Sequence, residues 1–271
     1  MSSPGKEIRL SRLFDKKSGK IVIITVDHAI AHGIMPGIRN ISQTLAKITA
    51  GQPNAVTVHK GLALKYYNMF IKNAVCLICK LSSFSPYDPS YDTYFTEIKE
   101  AIKLGADAVA CGASIGDKRQ NEMLKIISYL SKECDEYGIP LIVHIYPKGD
   151  LIKEEDYYKV ENIMYAARVA AELGADIVKT WYPESPDTFK QVIEACPVPV
   201  VIAGGPYSKD VIQFLSMVKC AINNGAAGVA IGRNVWASKD PTLMVKALKM
   251  IVHENKEVQE VINKLKLANE V

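Results

Sequence analysis

Short apolar segments recur along the chain and indicate eight β-strands. Three of them begin with Gly-Ala followed by Asp or Ala, at residues 105–109, 174–178 and 225–229, and residues 52–56 form a looser copy. A helix-ending Gly that leads directly into an apolar run is typical of a repeated strand–helix unit. The remaining apolar segments are residues 21–26, 74–80, 140–146 and 198–203.

The segments between the predicted strands carry apolar residues at helical spacing, most clearly at 121–137, 160–173, 187–195 and 209–223. Apolar strands that alternate with amphipathic helices are typical of a parallel sheet covered by helices. Eight such units favour a closed (β/α)8 barrel, the TIM barrel, over an open sheet. We predict a single domain over residues 1–271, in which residues 241–271 form a C-terminal helical segment.

Composition and charge exclude several classes of protein. The chain has 271 residues and a net charge of +4, with Lys and Arg interspersed among Asp and Glu. This pattern does not indicate a nucleic-acid partner, whereas a small positive excess suits an anionic metabolite. The N-terminus does not resemble a secretory signal, and the apolar runs are too short to span a bilayer. We therefore expect a cytoplasmic protein without a membrane partner.

Cysteine and histidine do not favour a metal centre. The six Cys residues are expected to be reduced and buried. Cys76 and Cys79 lie three residues apart in one predicted strand, so their side chains would point to opposite faces. His28, His59 and His144 fall near strand ends, but the chain has no paired His motif of the zinc type. We expect no metal and no other cofactor.

Two Gly-rich turns indicate a phosphate site. Gly204 and Gly205 follow the seventh predicted strand, and Gly232 and Arg233 follow the eighth. In this fold the active site lies at the C-terminal ends of the strands, and these two turns recurrently bind phosphate. Glycine lets backbone N–H groups approach an anion, and Arg adds a fixed bidentate donor. The alternative is that these residues serve only as turns.

Lys179 interrupts an apolar predicted strand, and lysine is rarely buried unless it is paired or functional. Alternation places Lys179 and Trp181 on one face, which would bring the amine into the barrel. A buried amine near other cations has a lowered pKa and can attack a ketone to form a Schiff base. Lys60, Lys148 and Arg233 are candidate neighbours, and Lys60 is the rival nucleophile. The alternative is a Lys179 that merely pairs with a phosphate or carboxylate.

Other polar residues at strand ends complete the candidate site. Tyr146 could move protons during imine formation, and Asp27 could deprotonate a substrate hydroxyl. The structural alternative for Tyr146 is a packing aromatic side chain, and the alternative for Asp27 is an ion-pair partner of a nearby Lys. The predicted substrate-binding residues are Gly204, Gly205, Gly232, Arg233, His28, Lys60, Lys148 and Trp181.

These motifs resemble the archaeal-type class I fructose-bisphosphate aldolase family. Its relatives include the 2-amino-3,7-dideoxy-D-threo-hept-6-ulosonate synthase and the autoinducer-2 phosphate thiolase. The likeness extends over residues 9–234. The motifs that carry it are Asp27-His28, His59-Lys60-Gly61, Tyr146-Pro147-Lys148-Gly149, Lys179-Thr180 and the two Gly-rich turns. The family's barrel fold is therefore expected over nearly the whole chain.

The resemblance implies roles for individual residues. Lys179 would form the Schiff base, Tyr146 would donate the proton, and Asp27 would be the strand-1 aspartate. Gly204, Gly205, Gly232 and Arg233 would bind the phosphate of a sugar-phosphate substrate. The family is metal-independent, and it often assembles as homo-oligomers, commonly decamers built from pentamers.

The resemblance implies cleavage of fructose 1,6-bisphosphate to dihydroxyacetone phosphate and glyceraldehyde 3-phosphate. One alternative is a transaldolase that makes the hept-6-ulosonate from a deoxy-ketohexose phosphate and aspartate semialdehyde, in aromatic amino-acid biosynthesis. Others are a thiolase on a phosphorylated dione and a non-catalytic phospholigand-binding barrel. The chain departs from the family at Ala29, where Gly is usual. It departs again at Trp181-Tyr182-Pro183-Glu184-Ser185, where a small or polar residue followed by Tyr-Thr-Gly-Asp is usual. The chemistry is therefore expected to carry over better than the substrate.

Overall fold

The structure is a computed structural model that describes residues 3–183 and 185–267. Eight parallel strands form a closed barrel: β1 (Ile21–Thr25), β2 (Ala55–His59), β3 (Cys76–Lys80), β6 (Ala108–Ile115), β7 (Leu141–Pro147), β8 (Ile177–Thr180), β9 (Val200–Ala203) and β10 (Gly228–Ile231). Two further strands, β4 (Ser82–Ser85) and β5 (Asp88–Tyr94), pair as an antiparallel hairpin. Each barrel strand pairs with its neighbours in chain order, and β10 closes the barrel against β1. The predicted (β/α)8 barrel is confirmed.

Twelve α-helices and two short 3₁₀ helices are present in the described residues. The α-helices are α1 (Pro4–Leu13), α2 (His28–His32), α3 (Ile41–Ala50), α4 (Lys60–Asn73), α5 (Ile98–Lys103), α6 (Gln120–Tyr137), α7 (Val160–Glu172), α8 (Pro186–Ala195), α9 (Val211–Asn223), α10 (Arg233–Trp236), α11 (Pro241–Val252) and α12 (Val258–Leu265). The predicted helices correspond to α6, α7, α8 and α9 within two residues at each end. None of the helices in the described residues is long and apolar enough to cross a membrane.

The barrel strands are buried on both faces, which explains their continuous apolar sequences. One set of side chains, which includes Ile23, Ile78 and Ile177, fills the barrel interior. The alternate set, which includes Val22 and Val178, packs against the surrounding helices. Leu13 of α1 joins the interior cluster, and this N-terminal helix therefore covers one end of the barrel.

The two cysteines of β3 lie on different sides of the sheet. Cys76 packs against the interior cluster, whereas Cys79 belongs to the cluster beneath the helices. This arrangement confirms the expectation from strand alternation. The predicted C-terminal segment forms α11 and α12, which are separated at residues 253–257, and its residues 268–271 lie outside the described part of the chain.

The β4–β5 hairpin was not predicted, because its residues are mostly Ser, Asp, Tyr and Pro rather than apolar. Arg119 fastens it to the barrel with two hydrogen bonds to the Asp88 carboxylate, at 2.5 and 2.8 Å. The Ser90 hydroxyl donates to Asp117 at 2.5 Å. The guanidinium also lies 4.3 Å from the centre of the Tyr91 ring. These contacts hold the hairpin over the C-terminal end of the barrel.

Candidate active site

A cavity of about 170 Å³ opens at the C-terminal ends of the barrel strands. It is lined by ten of the eleven residues that were singled out from the sequence: Asp27, His28, Tyr146, Lys148, Lys179, Trp181, Gly204, Gly205, Gly232 and Arg233. The eleventh, Lys60, is not among them. The barrel topology explains this convergence, because the carboxyl ends of all eight parallel strands meet at one rim.

Lys179 lies near the end of β8, beside His144 on β7 and Val201 on β9. Its side chain is buried and faces the cavity, on the same side of the strand as Ile177 in the interior cluster. Burial lowers the pKa of Lys179 to about 8, with Asp27 opposing this shift and Lys80 and Arg233 adding to it. A substantial fraction of the amine is therefore uncharged near neutral pH.

A second buried lysine, Lys80, was missed by the sequence analysis. It ends β3, is 5% exposed, and places its Nζ 3.4 Å from Nδ1 of His144. Burial and the charges of Lys80 and Lys179 lower the pKa of His144 well below its ordinary value, so the ring is neutral. The sequence carried the same signal for Lys80 as for Lys179, namely a lysine within an apolar strand.

Lys60 lies outside the cavity, which corrects its predicted place in the site. Its Nζ donates to Glu100 at 2.8 Å and to the Phe95 carbonyl at 3.3 Å, and its side chain is 43% exposed. Strand alternation gives the reason, because Val56 and Val58 face the helices and residue 60 continues on their side. His59 bonds instead to the backbone carbonyls of Asp27 and Lys80 and so links two strand ends.

Tyr146 and Trp181 form part of an aromatic wall. Their ring centroids are 4.9 Å apart, and Tyr158 stacks on Trp181 at 5.0 Å. Burial, together with the negative charges of Asp27 and Asp92, raises the pKa of Tyr146. The phenol therefore keeps its proton at all physiological pH values and can donate it.

Asp27 supplies a carboxylate on the opposite side of the cavity. Burial alone would raise its pKa, but contact with His28 and the charges of Lys179 and Lys80 hold the pKa of Asp27 well below its usual range. His28 Nδ1 lies 3.3 Å from Asp27 Oδ1. Asp27 is therefore ionised and can accept a hydrogen bond or a proton from a hydroxyl.

The two Gly-rich turns are joined by Asn234, which the sequence analysis did not single out. Its Nδ2 donates to the carbonyls of Gly204 at 2.7 Å and Pro206 at 2.9 Å, and its Oδ1 accepts from the Ser208 N–H at 2.8 Å. A Cβ on Gly232 would lie only 2.3 Å from the His28 ring. These turns therefore have a fixed shape around Arg233, which faces the cavity.

The hairpin closes the remaining side of the cavity with Ser83, Phe84 and Asp92. Lys148 Nζ donates to the Pro89 carbonyl at 2.6 Å and lies 3.6 Å from the centre of the Phe84 ring. Burial lowers the pKa of Lys148 to about 8. These hairpin residues were not predicted, because nothing local in the chain indicates that the segment folds over the barrel.

The cavity holds four basic side chains, Lys80, Lys148, Lys179 and Arg233, and two carboxylates, Asp27 and Asp92. Such a balance suits an anionic ligand with hydroxyl or amino groups. Across residues 3–183 and 185–267, no group of three His, Cys, Asp or Glu side chains is placed to hold a metal ion.

Comparison with known proteins places the chain in a family. The model of the DeoC/LacD family aldolases matches residues 21–238. The 2-amino-3,7-dideoxy-D-threo-hept-6-ulosonate synthase 1 of Archaeoglobus fulgidus is 40% identical over 261 residues, which cover 95% of each chain.

Two solved structures of fructose 1,6-bisphosphate aldolases match with a TM-score of 0.82 and cover 92% of this chain and 99% of theirs. One, 30% identical, is of a Schiff-base-forming enzyme; the other, 29% identical, is archaeal and has its catalytic Lys covalently bound to a carbinolamine intermediate. The chain therefore belongs to the DeoC/LacD aldolase family and is a class I, Schiff-base aldolase.

Proposed function

We propose that Lys179 is the residue that forms the Schiff base, with the ketone of a phosphorylated sugar. The observation that carries this proposal is a buried lysine with a pKa of about 8 at the end of β8, facing the cavity. Among the described residues, its Nζ has no hydrogen bond or ion pair within the chain. Lys80, by contrast, is engaged with His144.

The neighbouring side chains suit the proton transfers that this chemistry needs. The amine of Lys179 attacks the carbonyl carbon while Tyr146 protonates the carbonyl oxygen, which gives a carbinolamine. The Tyr146 phenolate then takes a proton from the nitrogen and passes it to the carbinolamine hydroxyl, which leaves as water, and an iminium ion remains. Asp27 accepts the proton of the hydroxyl next to the scissile C–C bond, that bond breaks, and its electron pair moves into the iminium to form an enamine. An aldehyde leaves, and the enamine is available for protonation or for attack on an acceptor aldehyde.

The substrate phosphate is proposed to lie between the turns at Gly204, Gly205 and Gly232, beside Arg233. Asn234 holds the first turn in place through the carbonyl of Gly204. Binding energy from a phosphate remote from the reacting bond would position the ketone at Lys179.

The reaction that we propose first is a transaldol reaction that makes 2-amino-3,7-dideoxy-D-threo-hept-6-ulosonate. This choice is supported by 40% identity, over 95% of both chains, to a synthase named for that product. The product name places a ketone two carbons from a hydroxyl, so the aldol bond joins aspartate semialdehyde to an unphosphorylated three-carbon unit. Fructose 1,6-bisphosphate is the second candidate, because the enzymes of the matching solved structures act on it at 30% and 29% identity.

Borohydride trapping tests both the lysine and the substrate. The protein is mixed with hydroxyacetone, with dihydroxyacetone phosphate or with fructose 1,6-bisphosphate, reduced, digested and mapped by mass spectrometry. We expect an adduct on Lys179 and none in Lys179→Met. An unphosphorylated three-carbon adduct supports the transaldolase, and a phosphorylated one supports the fructose-bisphosphate reaction. An adduct on Lys80 would contradict the assignment. Trapping that survives a chelator would support the metal-independent chemistry expected from the sequence.

A further inference from the structure

The carboxylate of Asp92 faces the cavity, and the reaction proposed above does not use it. Asp92 lies on β5 of the hairpin and is 6% exposed. Its Oδ1 accepts a hydrogen bond from the Ser82 hydroxyl at 3.0 Å, and Oδ2 accepts none among the described residues. Within the same part of the chain, no Lys, Arg or His nitrogen lies within 4.0 Å of this carboxylate.

Contacts with the surrounding fold hold the Asp92 carboxylate in place. The N–H of Gly112 donates to Ser82 Oγ at 2.7 Å, and Ser82 in turn donates to Asp92. A Cβ at position 112 would lie 2.2 Å from Asp92 Oδ1, so the carboxylate fills the space that the glycine leaves open. Arg119 holds the hairpin from the other side. A buried carboxylate held so firmly without a cation costs free energy that a positively charged ligand group would recover.

Lys148 provides a cation on the same side of the cavity. Among the described residues its Nζ makes one hydrogen bond, to the Pro89 carbonyl on the strand that carries Asp92, so two of its three protons remain for a ligand. Lys148 and Asp92 both line the cavity, and the negative charge of Asp92 opposes the lowering of the pKa of Lys148 by burial. The hairpin side of the cavity therefore presents one negative and one positive group. A second phosphate there would meet the Asp92 carboxylate, whereas a zwitterion would meet both charges favourably.

We propose that Asp92 and Lys148 form the acceptor subsite and bind the α-amino-acid end of an amino-acid semialdehyde. Asp92 accepts hydrogen bonds from the ammonium group, and Lys148 pairs with the carboxylate. The aldehyde then points toward the enamine on Lys179. This inference rests on the proposed aldol chemistry at Lys179 and extends it by naming the residues that select the acceptor.

Two acceptors that differ only in the amino group test the role of Asp92. Aspartate semialdehyde and succinate semialdehyde share the aldehyde and the carboxylate, and only the former carries an ammonium. The ratio of their kcat/KM values is measured with the donor that labels Lys179. We expect wild type to prefer aspartate semialdehyde, and Asp92→Asn to reduce that preference by about tenfold to a hundredfold, as for loss of a charge-assisted hydrogen bond.

Two further variants test whether the change in acceptor preference is specific to Asp92. Asp150→Asn removes the same charge from the surface, where Asp150 pairs with Lys118 outside the cavity, and should leave the preference unchanged. Lys148→Gln should lower kcat/KM for both semialdehydes, because both carry the carboxylate. Equal losses for the two acceptors in Asp92→Asn, or no preference in wild type, would overturn the proposal.

A binding measurement separates this inference from the proposed function. L-Homoserine, the unreactive alcohol analogue of aspartate semialdehyde, and 4-hydroxybutyrate, which lacks the amine, are titrated into the protein by calorimetry. We expect L-homoserine to bind wild type more tightly, and Asp92→Asn to lose that advantage while it still unfolds at the wild-type temperature. Absence of a Lys179 adduct would refute the proposed chemistry alone. Failure of wild type to prefer L-homoserine would refute the subsite even where Lys179 is labelled.

Discussion

Lys80 Nζ lies 3.4 Å from His144 Nδ1, so a second buried lysine and a neutral histidine share the cavity with Lys179. The positive charge of Lys80 contributes to the lowered pKa of Lys179. Lys80 thereby increases the uncharged fraction of the proposed nucleophile, although it does not itself contact the substrate carbonyl in the proposed reaction.

Replacement of Lys80 by Met should therefore raise the pKa of Lys179. We expect the pH profile of borohydride trapping to move to higher pH, and the rate at pH 7 to fall several-fold. Lys60→Met, which removes a lysine outside the cavity, is the matched control and should leave the profile in place. An unchanged profile in Lys80→Met would exclude this positioning role.

The pH dependence of the wild-type protein follows from the same pKa. Lys179 attacks only as the free amine, and its pKa is about 8. Between pH 6 and about 8 the trapping rate should rise about tenfold per pH unit, and it should level off above that. The measurement uses hydroxyacetone, which has no ionisable phosphate. A rate that is flat across this range would mean that a different group limits the reaction.

Tyr146→Phe should slow turnover by about 10²- to 10⁴-fold, the usual loss when a general acid is removed. The ring remains to pack against Trp181, so the unfolding temperature should stay close to that of wild type. Steady-state kinetics together with thermal denaturation check both statements. Full activity in this variant would remove Tyr146 from the mechanism.

Asn234→Ala should weaken binding of the phosphorylated substrate. The variant loses the hydrogen bonds that hold the Gly204 and Pro206 carbonyls, and the turn that is proposed to bind phosphate is no longer fixed. We expect KM to rise about tenfold with a smaller change in kcat. A decrease in kcat with an unchanged KM would argue against a phosphate at this turn.

Gly112→Ala should destabilise the fold and displace Asp92. The new methyl group would lie 2.2 Å from Asp92 Oδ1, so the Asp92 side chain must move. Overpacking of this kind typically costs about 1–3 kcal/mol. Chemical denaturation measures the cost. The acceptor preference should fall along with the stability if Asp92 selects the acceptor, and wild-type stability would contradict the close packing seen here.

The sequence by itself determined the barrel and most of the site. Strands that are buried on both faces must be apolar throughout, and helices that cover them must be amphipathic, so the alternation of the two patterns is visible along the chain. Lys179, Tyr146 and Asp27 were identified because each stands at the end of an apolar strand, where this fold gathers its functional groups. The local pattern placed β1, β3, β7 and β9 within two residues at each end, whereas the strands at Ala55–His59, Ala108–Ile115, Ile177–Thr180 and Gly228–Ile231 begin three residues later than predicted.

The tertiary structure alone decided which strand-end residues enter the cavity. Lys80 is the last residue of β3, whereas Lys60 follows β2 as the first residue of α4, so Lys60 points toward solvent and Glu100 and Lys80 points toward His144. A one-residue difference in strand phase reverses the face, and the sequence does not mark that phase at the end of a strand. Asp92 lies at the cavity because a polar hairpin carries it there. Gly112 leaves space for its carboxylate, and Arg119, which is distant in the sequence, holds the hairpin in place. Such contacts arise between segments far apart in the chain, so only the folded protein brings them together.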